Sequence, residues 1–222
     1  MSVMNTFSGK KFDPMHMNSE DVSLEDLAHA LSLLCRGGGH LKYFYSVGQH
    51  SINCMKEARA RGWSKRVQLA CLLHDASEAY IADIIRPVKV HLPEYYKIES
   101  KIMDCILEKF GLGDLSEEEN SRWRQIDDEI LDHELRELMI GEKDRPVKSL
   151  ASVTDMTERN WKDVAEEFII YMEGIKEGSA SKRRSTPFLH YSNLKSDRLF
   201  NFRSVASSDC QYVRETVTTG FV

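Results

Sequence analysis

A histidine and an aspartate stand side by side inside an apolar stretch of the sequence, VQLACLLHDASEAYIAD, as His74 and Asp75. Burying an ionisable pair in such a segment is costly unless a partner neutralises it. A divalent metal is the simplest partner, because an imidazole nitrogen and a carboxylate oxygen form a mixed donor set suited to zinc, manganese, iron or cobalt. Two ligands do not complete a site, so the others must come from elsewhere in the chain.

Two further residues are the leading candidates for the missing ligands. His50 stands in the segment YSVGQHSINC, which is predicted to be a helix packed beside the buried one. In a later helix Asp127 and Asp128 compete for the fourth position. Asp127 shares a helical face with Ile130, whereas Asp128 shares one with Arg124. The inward-facing carboxylate is therefore expected to be Asp127.

A run of three glycines, Gly37 to Gly39, is flanked by Arg36 and His40. Glycine ends helices and allows backbone angles that other residues avoid. The run therefore predicts a tightly turning loop that carries two polar side chains, which suits a ligand-facing element. An ordinary connecting loop is the alternative.

The order of His50, His74-Asp75 and Asp127 resembles the defining pattern of HD-domain phosphohydrolases, in which two histidines and two aspartates from separate helices hold a metal. Two stretches are similar to a bacterial and phage subgroup of these proteins: SGKKFDPMHMNSEDVSLEDLAHALSLLCRGGGHLKYFYSVGQHS to its N-terminal part, and HDASEAYIADIIRPVK to its metal-helix segment. The similarity extends over residues 6–172. The resemblance implies that all four residues are metal ligands.

The resemblance also implies roles for residues around the metal. In the related 5'-deoxynucleotidases, an arginine ahead of the first histidine, a glutamate three residues after the HD aspartate and an aspartate eight after it serve the reaction. The matching positions here are Arg36, Glu78 and Asp83. Glu78 or Asp83 is expected to orient or deprotonate water and to help protonate the leaving oxygen. Arg36 and Lys89 are expected to balance charge on the phosphoryl oxygens, and His40 is a candidate contact to phosphate.

The activity that the resemblance implies is metal-dependent hydrolysis of (deoxy)nucleotide phosphate esters. The subgroup contains both 5'-nucleotidases and phage enzymes that remove triphosphate from dATP. Gly37 follows Arg36 where the deoxynucleotidases carry a tryptophan, so the number of phosphates removed stays open. The expected ion is zinc, cobalt, manganese or magnesium, with a second magnesium where the substrate is a triphosphate. The relatives imply a homo-oligomer that is bacterial or phage-encoded.

Two other functions compete with this prediction. The first is a phosphodiesterase or guanosine tetraphosphate hydrolase, which would use the same metal group on a different ester. The second is a non-catalytic HD module that keeps the metal for stability or ligand sensing. Arg36, Glu78, Asp83 and Lys89 argue against the second, because a purely structural metal site does not need them.

Composition limits the classes of partner. The net charge of −5 argues against a protein that binds the phosphate backbone of duplex nucleic acid. Apolar runs fall short of the roughly 18 to 20 residues that span a bilayer, and the N-terminus lacks a signal-peptide layout. The five cysteines form no CxxC pair and fit a reducing cytoplasm. Cys54, Cys71 and Cys105 are expected to be buried small hydrophobes.

Periodic apolar residues predict an all-α fold, an HD-domain bundle of about six or more helices. No alternating pattern typical of strands competes with these helices. The C-terminal segment is rich in serine, carries the basic cluster Lys182-Arg183-Arg184 and shows no sustained period. We expect a domain over residues 1–178 and a poorly ordered or loosely docked tail over 179–222. The predicted helices cover about 24–34, 46–61, 64–83, 93–110, 116–139 and 157–176.

Overall fold

A computed structural model of the chain describes residues 3–177. This part of the protein is mostly helical, which confirms the expected helical class. The predicted tail over 179–222, with its basic cluster, lies outside the described residues. Within residues 3–177 no helix is both long and apolar enough to cross a membrane.

The elements of the described residues follow one another along the chain. A small antiparallel hairpin, which the sequence did not predict, pairs β1 (Met4–Asn5) with β2 (Lys11–Phe12). Single 3-10 turns lie at Pro14–His16 and Arg36–Gly39. The helices are α1 (Leu24–Leu33), α2 (Val47–Ala60), α3 (Lys65–Leu73), α4 (Glu78–Ile81), α5 (Arg86–Lys89), α6 (Pro93–Lys109), α7 (Glu117–Leu138) and α8 (Trp161–Glu177).

Serine side chains start four of the long helices. Ser23, Ser46, Ser64 and Ser116 each accept a hydrogen bond from a backbone N–H in the first turn of α1, α2, α3 and α7. Ser116 also forms a reciprocal capping box with Glu119. Such caps satisfy backbone donors that have no partner inside the helix.

Helix α2 lies at the centre of the fold and packs against α1, α3, α7 and α8. Its apolar residues, among them Val47, Ile52 and Met55, are buried in one hydrophobic core. Burial is not restricted to apolar positions, since His50 and Asn53 on the same helix are also buried. A helix buried on most sides can carry polar groups only where they find partners.

The prediction of one continuous helix over 64–83 is wrong, because this segment forms two separate helices. Helix α3 ends at Leu73, and His74 is its C-terminal cap. Turns follow in which the N–H of Ala76 bonds the carbonyl of Leu73, three residues back instead of four. Helix α4 then runs only to Ile81 and ends at Ala82, whose φ is +67°. His74 and Asp75 therefore lie at a helix end and not in the middle of a continuous helix.

Two smaller expectations also need correction. Helix α8 begins at Trp161 and not near residue 157, and the side chain of Asn160 accepts the N–H of Lys162 at its start. Cys54 and Cys71 are buried as expected, but Cys105 is only partly buried. The Cys105 thiol donates a hydrogen bond to the carbonyl of Met17.

Candidate metal centre

Four donor atoms from three parts of the chain converge where α2, α3 and α7 meet. Nε2 of His50 lies 3.1 Å from Nε2 of His74 and 3.1 Å from Oδ1 of Asp127. It lies 3.8 Å from Oδ2 of Asp75. Nε2 of His74 lies 3.2 Å from the same Asp75 oxygen and 3.5 Å from Oδ1 of Asp127. The four residues predicted as ligands are thus brought together.

These distances fit the edges of a metal coordination shell. Nitrogen and oxygen ligands at 2.0 to 2.2 Å from an ion, with angles between octahedral and tetrahedral, are separated by roughly 2.8 to 3.6 Å. Four of the five separations given above, at 3.1, 3.1, 3.2 and 3.5 Å, fall in this range. The fifth, at 3.8 Å, exceeds it slightly. Two imidazoles and two carboxylates at this spacing suit a divalent cation.

Each predicted ligand is held by its local structure. His50 is the fourth residue of α2 and is fully buried. The helix break places His74 and Asp75 at the same end of α3, and Nδ1 of His74 contacts the carbonyl of Cys71 at 2.8 Å. On α7 the side chain of Asp127 is 19% exposed and that of Asp128 is 63% exposed. The carboxylate that faces the cluster is therefore Asp127.

A buried carboxylate behind the cluster, Glu134, holds two of the functional groups. Its Oε1 accepts from Nδ1 of His50 at 2.6 Å, and its Oε2 accepts from Nε of Arg36 at 2.8 Å. Arg36 also donates to Oδ2 of Asp75 at 3.1 Å. Burial opposes the charge on Glu134, but the charges of His50 and Arg36 outweigh it and lower the pKa of Glu134 to about 2. One carboxylate thus orients a predicted ligand and the predicted catalytic arginine.

A chain of hydrogen bonds fixes Glu134 to the rest of the core. The hydroxyl of Tyr45 donates to Oε1 of Glu134 at 2.8 Å. Asn53 donates to the Tyr45 hydroxyl at 2.9 Å and to the carbonyl of Asp155 at 2.9 Å. Because every hydrogen bond in this series is buried or partly buried, the series holds Glu134 rigidly. The connection between α7 and α8 therefore supports the position of His50.

Replacing Glu134 by glutamine is expected to weaken metal binding about 10- to 100-fold, because the partner that orients a ligating histidine is then lost. Competition with a chelating dye would measure the affinity for manganese. The matched control is Glu129→Gln, which alters a buried glutamate of the same helix that pairs with Arg61 instead of the cluster. Equal affinity in the Glu134→Gln variant and the wild type would show that Glu134 does not position His50.

Glu78 is a buried acid that is protonated at neutral pH. Glu78 is the first residue of α4, and its Oε2 has no hydrogen-bond partner among residues 3–177. Burial, then the negative charges of Asp75 and Asp83, raise the pKa of Glu78 to about 9. A carboxylic acid kept neutral in this way can donate a proton near pH 7.

Asp83 lies beside the glycine loop. The N–H of Gly37 donates to its Oδ2 at 3.2 Å, which anchors the loop over the cluster. Gly37, Gly38 and Gly39 all have positive φ, as the tight turn requires. Burial raises the pKa of Asp83, and the charge of Arg36 opposes this shift. Asp83 and Glu78 thus share one side of the cluster as a pair of carboxyl groups.

Because the folded protein keeps a proton on Glu78, the metal-free protein is expected to become less stable as the pH rises and this proton is lost. In the unfolded chain Glu78 has its ordinary pKa of 4.5, whereas in the folded chain the value is about 9. Between these values the folded state holds a proton that the unfolded state has released, so each pH unit removes up to about 1.4 kcal/mol of stability. The contribution of Glu78 to the free energy of unfolding is fully present below pH 4.5 and is lost as the pH rises towards 9.

Denaturant unfolding of metal-stripped wild type and Glu78→Gln at several pH values measures this effect. The stability of the wild type relative to the variant is expected to fall between pH 4.5 and 9, because glutamine does not titrate. Parallel stability curves would show that Glu78 ionises in the folded protein at its ordinary pKa.

Two predicted phosphate contacts, His40 and Lys89, form no side-chain hydrogen bond or ion pair with the four predicted metal ligands within residues 3–177. His40 is exposed at the end of the glycine loop. Lys89 forms an ion pair with Glu99 at 2.5 Å, and its Nζ lies 5.2 Å from the ring centroid of Tyr95. Burial opposes the charge on Lys89, but its bond to Glu99 raises its pKa. Lys89 is therefore already neutralised by a carboxylate.

Two residues with a place in the site were missed from the sequence. Glu134 stands seven residues after Asp127, so helical spacing places both on one face of α7, but nothing in its sequence context indicates a role. Arg86 is 65% exposed, lies 3.3 Å from Oδ1 of Asp128 and 4.0 Å from Oδ2 of Asp127, and is a cation at the outer side of the cluster. No local pattern in RPVK marks it as such.

Two known proteins are similar to part of the chain. No model of a known protein family matches the chain. Over 112 residues the chain is 43% identical to YfdR of Escherichia coli, an uncharacterized protein, which covers 50% of this chain and 60% of YfdR. Over 111 residues it is 35% identical to an uncharacterized protein of Rhodobacter capsulatus, which covers 47% of this chain and 56% of that protein. The chain thus matches less than two thirds of either relative.

A buried thiol, that of Cys54, lies beside the two histidines of the cluster. Cys54 is one turn after His50 on α2, and its Sγ lies 3.5 Å from Nε2 of His50. His50, Cys54 and His74 each offer a donor atom, and these atoms lie within 4.8 Å of one another. The protein therefore has a possible metal-binding group at this position. Cys54 was predicted to be only a buried small hydrophobe.

Proposed function

We propose that the protein is a metal-dependent phosphohydrolase of the HD type that hydrolyses 5'-phosphate esters of deoxynucleotides. The observation that carries the proposal is the convergence of His50, His74, Asp75 and Asp127, whose donor atoms are separated by 3.1 to 3.8 Å in the pairs described above. These residues would hold one divalent ion of zinc, cobalt, manganese or magnesium. A triphosphate substrate would bring a second magnesium.

The ion, when bound, lowers the pKa of water and polarises a phosphoryl oxygen. The protein supplies the proton transfers. Glu78 is the general acid, because its raised pKa keeps a proton available for the leaving 5' oxygen. Asp83 is the general base that accepts a proton from the attacking water as the bond from phosphorus to the 5' oxygen breaks. Two titratable carboxyl groups in one site can divide the acid and base roles between them.

Arg36 recognises the phosphoryl group. Its side chain is 12% exposed, and Nε and one terminal nitrogen are used to bond Glu134 and Asp75. A guanidinium carries five N–H donors, so donors remain for phosphoryl oxygens. Because Glu134 fixes the guanidinium before substrate arrives, little freedom is lost on binding. The exposed Arg86 offers a second cation at the outer side of the cluster for further phosphates.

A nucleotide panel tests this proposal. Metal-stripped protein is reloaded with manganese, cobalt, zinc or magnesium and offered deoxynucleoside mono-, di- and triphosphates, a phosphodiester and guanosine tetraphosphate. Separate assays for phosphate, pyrophosphate and triphosphate identify the bond that is cleaved. We expect hydrolysis of a deoxynucleotide at its 5' phosphate, lost in the Glu78→Gln variant. Hydrolysis of only the diester or guanosine tetraphosphate would redirect the proposal, and ion binding without hydrolysis of any substrate would refute it.

A further inference from the structure

Cys54 lies against the histidines of the cluster and not simply in the apolar core. Its side chain is buried, and its Sγ is nearer to Nε2 of His50, at 3.5 Å, than to Nδ1, at 4.0 Å. Nε2 is also the atom that lies 3.1 Å from Nε2 of His74. The thiol therefore approaches the side of the imidazole that faces the other donor atoms.

The separations within this group match those of a thiolate metal site. With a zinc to sulfur bond of 2.3 Å and zinc to nitrogen bonds of 2.0 to 2.1 Å, tetrahedral geometry separates sulfur from nitrogen by about 3.5 Å and nitrogen from nitrogen by about 3.3 Å. The observed distances are 3.5 Å from Cys54 to His50 and 3.1 Å from His50 to His74. The third separation, from Cys54 to His74, is within 4.8 Å and needs only a modest side-chain movement.

Two donor sets therefore overlap at one place. The carboxylate set consists of His50, His74, Asp75 and Asp127, and the thiolate set consists of His50, Cys54 and His74. Magnesium and manganese prefer carboxylate oxygen, cadmium and copper(I) favour thiolate sulfur, and zinc binds both kinds of donor. Since both sets use the same two imidazoles, one ion excludes the other.

We propose that Cys54 is an alternative metal ligand, which binds thiophilic ions together with His50 and His74. The S–H bond of Cys54 breaks, a bond from sulfur to the ion forms, and the proton leaves to water, so the ion replaces a proton without any oxidant or reductant. A thiophilic ion in the thiolate set is shifted towards α2 and away from the carboxylates. The inference rests on the metal group of the proposed function but not on its substrate.

Cadmium and manganese distinguish the two sets in the full-length, metal-stripped protein. One equivalent of cadmium is expected to produce the ultraviolet charge-transfer absorption of a cadmium thiolate in the wild type, and the Cys54→Ser variant is expected to lack it. Cadmium affinity should fall at least about tenfold in this variant, since loss of an outer partner of a ligand already costs 10- to 100-fold. Manganese affinity should be unchanged, because manganese uses the carboxylate set.

Cys71→Ser is the matched control, because Cys71 is also a buried thiol but lies outside the thiolate set. This variant should keep the cadmium band. X-ray absorption of cadmium-loaded wild type counts sulfur ligands directly and decides the matter should Cys54→Ser fail to fold. Cadmium binding without a thiolate band or a sulfur ligand would overturn the role of Cys54 alone. Failure of both cadmium and manganese to bind would overturn the metal group itself, and with it the proposed function.

Discussion

The His74→Ala variant is expected to lose both the divalent ion and the phosphohydrolase activity that we propose for the protein. His74 offers Nε2 to the cluster at 3.1 Å from His50 and 3.2 Å from Asp75, and alanine leaves no donor there. Loss of an outer partner of a metal ligand costs about 10- to 100-fold in metal affinity or activity, so loss of a ligand should cost more than about 100-fold. Elemental analysis after dialysis and the rate of nucleotide hydrolysis measure the two effects.

A second histidine variant serves as the control, because it shows whether removing an imidazole elsewhere in the protein also costs the ion and the activity. His91→Ala removes an exposed histidine after α5 and should keep both the ion and the activity. Circular dichroism should show the same helical content in both variants, because His74 caps the end of α3 and is not an apolar core residue. An ion content and turnover equal to wild type in His74→Ala would exclude His74 from the site.

The Glu78→Gln variant is expected to keep the ion and lose about 100- to 10,000-fold in turnover, the range for removing a general acid or base. Glutamine has nearly the same size as glutamate, so the buried site at the start of α4 stays filled. It has no acidic proton to give to the leaving oxygen at neutral pH. Turnover should fall much more than substrate affinity, because the proton is transferred only in the transition state.

Glu129→Gln is the control for this substitution too, because it replaces a buried glutamate bonded to Arg61, away from the cluster. Its turnover should remain near that of the wild type. A leaving group with a low pKa, such as p-nitrophenol, should rescue Glu78→Gln in part, since it departs without a proton. Full turnover of Glu78→Gln on an ordinary nucleotide would assign the acid to another residue.

Much of the framework follows from local patterns. Serines at 23, 64 and 116 start helices because their side chains satisfy free backbone donors, and this rule needs no tertiary information. The positive φ of the glycine run at Gly37–Gly39 follows from the same kind of reasoning. The choice of Asp127 over Asp128 as the inward carboxylate rested on helical period alone, and the two side chains are indeed exposed to different degrees.

The remaining features depend on contacts between distant segments. The break after Leu73 is not marked in VQLACLLHDASEAYIAD by a glycine or a proline, and His74, Asp75 and Ser77 are only mildly unfavourable in a helix. The bonds of Glu134 to His50 and Arg36 join residues 84 and 98 positions apart. Their partners are set by how α2 and α7 pack and not by spacing along the chain.

The thiol and the basic residues illustrate the same limit. An isolated cysteine in an apolar helix is usually a core residue, and only the approach of α3 to α2 brings His74 near Cys54. In the same way, the ion pair of Lys89 with Glu99 arises because α5 and α6 are neighbours. The sequence therefore predicted which residues the fold brings together better than which of their neighbours orient them.

The most direct test is a crystal structure of the manganese-loaded protein with anomalous diffraction recorded at the manganese edge. One anomalous peak should lie about 2.0 to 2.3 Å from Nε2 of His50, Nε2 of His74, Oδ2 of Asp75 and Oδ1 of Asp127. A peak elsewhere in the protein, or side chains of these four residues that bond one another around no ion at saturating manganese, would contradict the proposed metal centre.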